Sequence, residues 1–423
     1  MALSNEVIDG RPECAAYAAG RIFYGLDSIV YYSQLLEGQS LSQIDKCYQQ
    51  NDPTAEQLSD VLDTDGGTIP INGADRIIQL TEYLQGVLVF ATNGVWQISG
   101  PDTGFKATDY YVKQISDQGL IGVKTVVKTN ETVLYWSRSG IYQISPNQYG
   151  QLASSSITEN TVQTHYNNIG DSFKEKAKGI YLESEQKVQW LYNSGVGGTV
   201  LPDFCDLSLA LDLRTGGWFK DKFKSEDTIV PTTHDISLAT AVLKSKSSKE
   251  DEMLYVYTSK TVNSPFSVGL AFATKTDADF EDFGVQFDIA YLDSGYETLG
   301  KPSNKKVAPY VTTHFKQTET AWVDLGGGDL DLNNQSSCLV STKWDWNDTD
   351  ANGRFGPSQE AYRFRRFFMP TGAGAFNSGE TVITSKIKVR GRGKSLSVRF
   401  EQSAGKDFQL LGYSIQYSMK GGM

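Results

Sequence analysis

Residues 87–99 read VLVFATNGVWQIS and residues 133–145 read VLYWSRSGIYQIS, with six identical positions and an offset of 46 residues. Each copy is an apolar run, a short turn through Gly94 or Gly140, and a second apolar run, which is the pattern of a β-hairpin. A hairpin that recurs every 40–50 residues or so marks the blades of a propeller. Related stretches lie on both sides: RIFYGLDSIVYYSQ (21–34), GIYLESEQKVQWLY (179–192), LSLALDLRTGGWFKDKF (207–223), and EMLYVYTSKTV with FSVGLAFAT between 252 and 274. Taken one hairpin at a time, these amount to five to seven blade-like units. The expectation is a mainly β protein: a propeller-like array of hairpin blades over 1–285, with a β-sandwich as the less economical rival. Ser156-Ile-Thr-Glu159 fits a capping box and predicts one short helix over 157–168.

Beyond residue 285 the repeat stops. KVAPYVTTHFKQTE, SSCLVSTKWDWND, EAYRFRRFFMP, ETVITSKIKVRGRG, KSLSVRFEQS and FQLLGYSIQYSM are longer strand-like segments with looser turns. They predict a second, antiparallel and sandwich-like β domain over 286–423. In TSKIKVRGRGK the cations Lys386, Lys388, Arg390, Arg392 and Lys394 alternate with Ile387, Val389, Gly391 and Gly393, so an extended chain would place all five on one face.

Composition agrees with strands joined by tight turns: among 423 residues are 40 Gly, 22 Tyr and 20 Phe. The net charge of −11 is opposite to that of a protein that wraps nucleic acid by neutralising phosphates. No apolar run approaches the roughly 18 residues of a membrane span, and the first residues lack a basic segment followed by an apolar one. No membrane insertion is expected, and synthesis in the cytoplasm is.

A search for chemistry returns little. The four cysteines (Cys14, Cys47, Cys205, Cys338) and three histidines (His165, His234, His314) are scattered, with no Cys-x-x-Cys and none of the usual nucleophile, phosphate-loop or zinc-protease motifs. Carboxylate pairs such as Asp203 with Asp206 and Asp329 with Asp331 meet the minimum for a glycosidase, but 50 acidic residues make such pairs common. Asp348, Asp350, Asn352 and Gly353 match the first half of a calcium loop; Gln359 then stands where the bidentate glutamate belongs, and an Asx-rich turn is the plainer reading. The expectation is therefore no catalytic residues, no cofactor-binding residues, no metal, no cofactor and no enzyme.

Two charged segments remain. The stretch YQQNDPTAEQLSDVLDTDGG (48–67) forms an acidic loop, with Asp63, Asp65 and Gly66-Gly67 shaping its turn. The Lys386–Lys394 ladder is a cationic strip in an acidic chain, readable as an acceptor for DNA phosphates or a neighbouring acidic subunit, or as a solvated edge strand. One expectation joins the two: the acidic loop meets basic residues of a neighbouring protomer or an adaptor, the ladder being one candidate.

The order RIFYG, YYSQ, NDPT with its DTDGG loop, LVFATNGVWQISG and WSRSGIYQIS resembles the nozzle proteins, also called tail tubular protein B, of short-tailed bacteriophages. TKWDWND, EAYRFRRF and SKIKVRGRGKSLSVRFEQSAGKDFQLLGYSIQY are similar to their C-terminal region. The resemblance implies a structural subunit of the virion tail in a ring of about six copies below the portal and adaptor ring. Genomic double-stranded DNA would pass along its axis without sequence-specific binding, and tail fibres or spikes would attach to it. Many members of that family are longer, with inserted domains that form the distal nozzle. The alternative class is a propeller-type carbohydrate-binding protein that uses aromatic platforms such as Trp96 and Trp136. These two occupy non-equivalent places in the repeat, which disfavours it.

Overall fold

The computed structural model describes residues 12–36, 61–84, 86–101, 104–193, 205, 207–221, 290–319, 321–322, 336–346, 355–364, 381–389, 391–403, 406 and 408–419, together with the strand backbone at 222, 235–244, 253–261, 264–274, 281–282, 285–286, 323–324, 330–332 and 374–375. The chain divides into two compact units, Met1–Ala273 and Thr274–Met423.

The first unit is a series of four-stranded antiparallel sheets, each a meander in which every strand pairs with its neighbour in the chain. The first contains Cys14–Ala18, Arg21–Leu26, Ile29–Tyr32 and Gly67–Pro70; the second Ile77–Tyr83, Gly86–Ala91, Gly94–Ser99 and Tyr111–Ser116. The third holds Val127–Lys128, Val133–Trp136, Ile141–Pro146 and Leu152–Ser156, and the fourth Lys178–Leu182, Lys187–Tyr192, Leu207–Asp212 and Trp218–Lys222. A three-stranded sheet of Asp235–Lys244, Met253–Thr261 and Ser264–Thr274 follows.

The two repeated hairpins are the middle strands of the second and third sheets, and their apolar runs are continuous because both faces are buried. Val87 and Val89 pack with Phe23, Val30 and Ile69 of the first sheet. Leu88 and Phe90 point the other way, against Val133 and Tyr135 of the third. Leu134 and Trp136 in turn pack on Val188, Trp190 and Leu209 of the fourth. Each interval between successive sheets is thus filled by alternate side chains of both, which is the packing of consecutive propeller blades.

Two expectations are corrected. The hairpins at 179–192 and 207–223 form a single four-stranded sheet through the pairing of Lys187–Tyr192 with Leu207–Asp212, so one hairpin does not equal one blade. The helix expected over 157–168 is reduced to Gln163–Asn167, followed by a second turn at Asp171–Lys174, and the Ser156–Glu159 capping box does not form. Ser156 is held in a strand opposite Tyr142. The Thr158 hydroxyl accepts the Ile141 N–H at 3.3 Å and donates to Gln163 Oε1 at 2.7 Å. Strand pairing thus holds Ser156 in an extended backbone where a cap would need it at a helix start.

In the second unit, Lys306–Lys316 pairs on one side with Val382–Lys388 and Arg392–Gly393 and on the other with Gln409–Met419. A second sheet orders Tyr291–Asp293, Leu396–Glu401, Leu339–Trp344 and Gln359–Glu360. Ala308, Val311, Phe315, Ile383 and Ile387 of the first interdigitate with Val340, Val398 and Phe400 of the second, making a sandwich core.

Candidate functional site: a cationic sheet face

Strand Val382–Lys388 alternates strictly, with Ile383, Ser385 and Ile387 buried and Val382, Thr384, Lys386 and Lys388 exposed. The register places Lys388 opposite Tyr310, Lys386 opposite Thr312, Thr384 opposite His314 and Val382 opposite Lys316. On the far side of the central strand, Gln416 and Ser414 stand opposite Tyr310 and Thr312. Residues directly opposite in an antiparallel pair share a face, so Lys316, Lys386 and Lys388 project from one surface among Tyr, Thr, His, Ser and Gln. None of these outward positions is acidic.

Among the described residues, Lys316, Lys386, Lys388, Arg392 and Lys394 take part in no ion pair. The Lys386 ammonium lies 4.3 Å from the centre of the Tyr310 ring, a cation–π contact that holds the side chain upright on the sheet without neutralising it. His314 Nδ1 and the Thr384 hydroxyl are 3.0 Å apart and brace the same face.

The expected row of five cations is only partly realised. The strand ends at Lys388; Val389 is still buried in step with the alternation, and Gly391 turns the chain with φ +139°. A Cβ at Gly391 would lie 2.1 Å from Trp344 Nε1, and one at Gly393 2.6 Å from Asp345 Oδ1, so the two glycines let the Trp344–Asp345 corner close onto this turn. Arg392 and Lys394 are exposed beyond the turn, whereas Arg390 lies outside the described residues. Lys316 joins the face from a different strand. Only the strand register identifies it, and its local sequence carries no signal.

The described end of the acidic segment, residues 61–67, is bound to its own unit. Arg21 is 1% exposed; its Nη1 donates to the carbonyls of Ser33 at 2.7 Å and Asp65 at 2.6 Å, and its Nη2 donates to the carbonyl of Asp63. The guanidinium also packs against the Tyr32 and Phe105 rings. Asp65 is buried and its carboxylate accepts the Leu62 N–H at 2.9 Å, an Asx-type turn. Asp63 accepts the Thr108 hydroxyl and pairs with Lys106 at 3.3 Å; these hydrogen bonds hold its carboxyl below the usual carboxylate range. Asp63 and Asp65 therefore shape the loop from within, as the Asx and Gly content suggested. Their carboxylates also have partners in their own chain. Residues 51–60 lie outside the described residues.

The other candidates bring no further site together among the described residues. Among the described residues no three His, Cys, Asp or Glu side chains gather as a metal site. Asp348, Asp350, Asn352 and Gly353, with Asp203, Asp206, Asp329, Cys47 and His234, lie outside the described residues. Cys14 and Cys338 are free thiols, and burial pushes Cys14 up to about 11 and Cys338 to about 12, away from nucleophilic thiolates; Cys205 is buried. His165 is half-buried beside the Tyr192 hydroxyl at 2.8 Å. Trp136 is fully buried, wedged among Tyr166, Trp190 and Tyr192, and cannot serve as a platform. Trp96 is 4% exposed and shows only an edge in an open groove of about 390 Å³ beside Tyr110, Asn72 and Gln114.

No protein-family model matches the sequence, and no curated protein does. Among solved structures the chain is similar to the N-terminal domain of Nup159, with 10% identity and a TM-score of 0.30 over 58% of this chain and 57% of that one. It is also similar to an apocarotenoid oxygenase of Synechocystis, with 7% identity and a TM-score of 0.27 over 60% and 61% of the two chains. The third is the core factor of S. cerevisiae, with 8% identity and a TM-score of 0.32 over 90% of this chain and 54% of that one. The chain thus spans between about half and three fifths of the length of these proteins, and likenesses of this size carry nothing about activity.

Proposed function

We propose that the chain is a structural subunit of a short-tailed phage tail, a nozzle or tail-tube component and not an enzyme, which forms a ring below the portal and adaptor. DNA passes through the ring on ejection, and fibres or spikes attach to it. The observation that carries this reading is the segregation of charge. Residues 274–423 hold 18 basic and 18 acidic side chains, so the whole net charge of −11 resides in residues 1–273. The second unit meanwhile presents a lysine-bearing face with no acid among its outward positions. A ring is built by a head-to-tail contact between two unlike surfaces, and one acidic unit plus one cationic face supply such a pair. An acidic body also suits a conduit, because each phosphate neutralised by a cation adds affinity that ejection must break. The sequence resemblance to the nozzle family supports the same reading.

The test is the mass and shape of the purified chain, by light scattering with negative-stain imaging, alone and with a cognate portal–adaptor complex. Rings of about six copies are expected. A chain that stays monomeric and ignores the complex overturns the reading.

A further inference from the structure

The sandwich sheet built on Lys306–Lys316 has two unlike borders. One, Val382–Lys388, carries Lys386 and Lys388, the kind of charge that keeps an edge from pairing. The other, Gln409–Met419, pairs only with Lys306–Lys316 among the described residues; a bulge at Leu411 interrupts it, and its outer edge runs regularly from Gly412 to Met419. The strand reads QLLGYSIQYSM, without a single charge or proline. None of its residues is buried, and Leu411, Tyr417 and Met419 are 58%, 39% and 43% exposed. A long, uncharged, apolar edge is a template for a further strand.

We propose that this edge pairs with the same strand of a second copy, antiparallel about a two-fold axis through Ser414. The strand's own sequence selects that occupant. About Ser414, Tyr413 falls opposite Ile415 of the second copy, an aromatic–aliphatic cross-strand pair that occurs twice, and Gly412 falls opposite Gln416. Tyr413 and Ile415 already face the sandwich core, so the added strand continues the sheet with its apolar side inward. No like charges meet anywhere along the register. The contact is isologous and closes on itself. It lies in the plane of the sheet, whereas Lys316, Lys386 and Lys388 project from its face, and it is independent of the tail reading.

Sedimentation of the full chain over a range of concentrations is expected to show a monomer–dimer equilibrium that Ser414→Lys, which sets two ammonium groups on the axis, weakens by about tenfold or more without lowering the melting temperature. Under mild oxidation Ser414→Cys should give a disulfide-linked dimer, while the wild type and Thr384→Cys, on the lysine-bearing border, should not. A wild type that is monomeric throughout overturns the proposal. So does a dimer that Ser414→Lys leaves intact or that Ser414→Cys fails to lock. A wild type that forms rings on a portal–adaptor complex yet stays monomeric alone at every concentration would overturn the edge contact and leave the tail reading standing.

Discussion

Arg21 shows how a single residue decides a loop. In sequence it is one more cation ahead of an apolar run; in the fold it is the clamp to which the Asp63 and Asp65 carbonyls and Ser33 are tied. Burial pulls its guanidinium below the ordinary value, with Tyr32, Asp65 and Asp63 acting in the opposite sense, and carbonyl oxygens are the acceptors that compensate. Replacing Arg21 by Met keeps apolar volume but strands these carbonyls, at a cost of about 3 kcal/mol or more. Thermal unfolding of Arg21→Met should show a large fall in Tm, and Asp63→Asn, at an exposed carboxylate, a small one. Gly391 is a second such position. Its φ of +139° and the Trp344 ring against it leave no room for a methyl group, so Gly391→Ala should cost about 2 kcal/mol or more in denaturant unfolding, whereas Gly412→Ala, with nothing near its Cβ, should cost far less. His165 gives a pH signature. Burial, with a smaller contribution from Lys220, lowers its pKa from the ordinary 6.5. The unfolded chain therefore takes up the proton first as pH falls, and stability that is whole above about pH 6.5 declines below it. Melting curves from pH 7.5 to 5 should show this decline, and His165→Gln should flatten it.

At the level of elements, the cationic face is a product of register. Lys386 and Lys388 belong to it by strand alternation, but Lys316 joins from a strand 70 residues away in sequence from Lys386, and the Tyr310 ring that supports Lys386 comes with it. If the face meets an acidic neighbour, replacing Lys316, Lys386 and Lys388 by Glu should abolish ring assembly while leaving far-UV circular dichroism unchanged, since the side chains are solvent-facing. Wild-type assembly should weaken as salt rises from 50 mM to 500 mM, because exposed charge pairs are screened over about 10 Å at 0.1 M. Assembly indifferent to both would place the interface elsewhere. The short helices teach a related lesson. Ser156 and Glu159 have the residue types and spacing of a cap, yet strand pairing claims Ser156 and the Ile141–Gln163 bridge claims Thr158.

At the scale of the molecule, the sequence by itself determined the class. The hairpin repeat at 87–99 and 133–145 announces stacked antiparallel sheets, because apolar runs at strand length can be satisfied only by burial on both faces. The repeat stops near residue 285 in the sequence, whereas the structural division after Ala273 is what assigns the whole −11 to the first unit. Tertiary structure alone decided how hairpins are grouped into sheets, that the Asp63–Asp65 turn faces inward onto Arg21, and that Lys316 stands with Lys386 and Lys388. The physical reason is range. Alternation, turn residues and charge counts are local and survive in a one-dimensional string, whereas sheet grouping, side-chain clamps and a shared face depend on which distant strands exchange hydrogen bonds. That choice is made by the summed burial of both faces, which no single segment encodes.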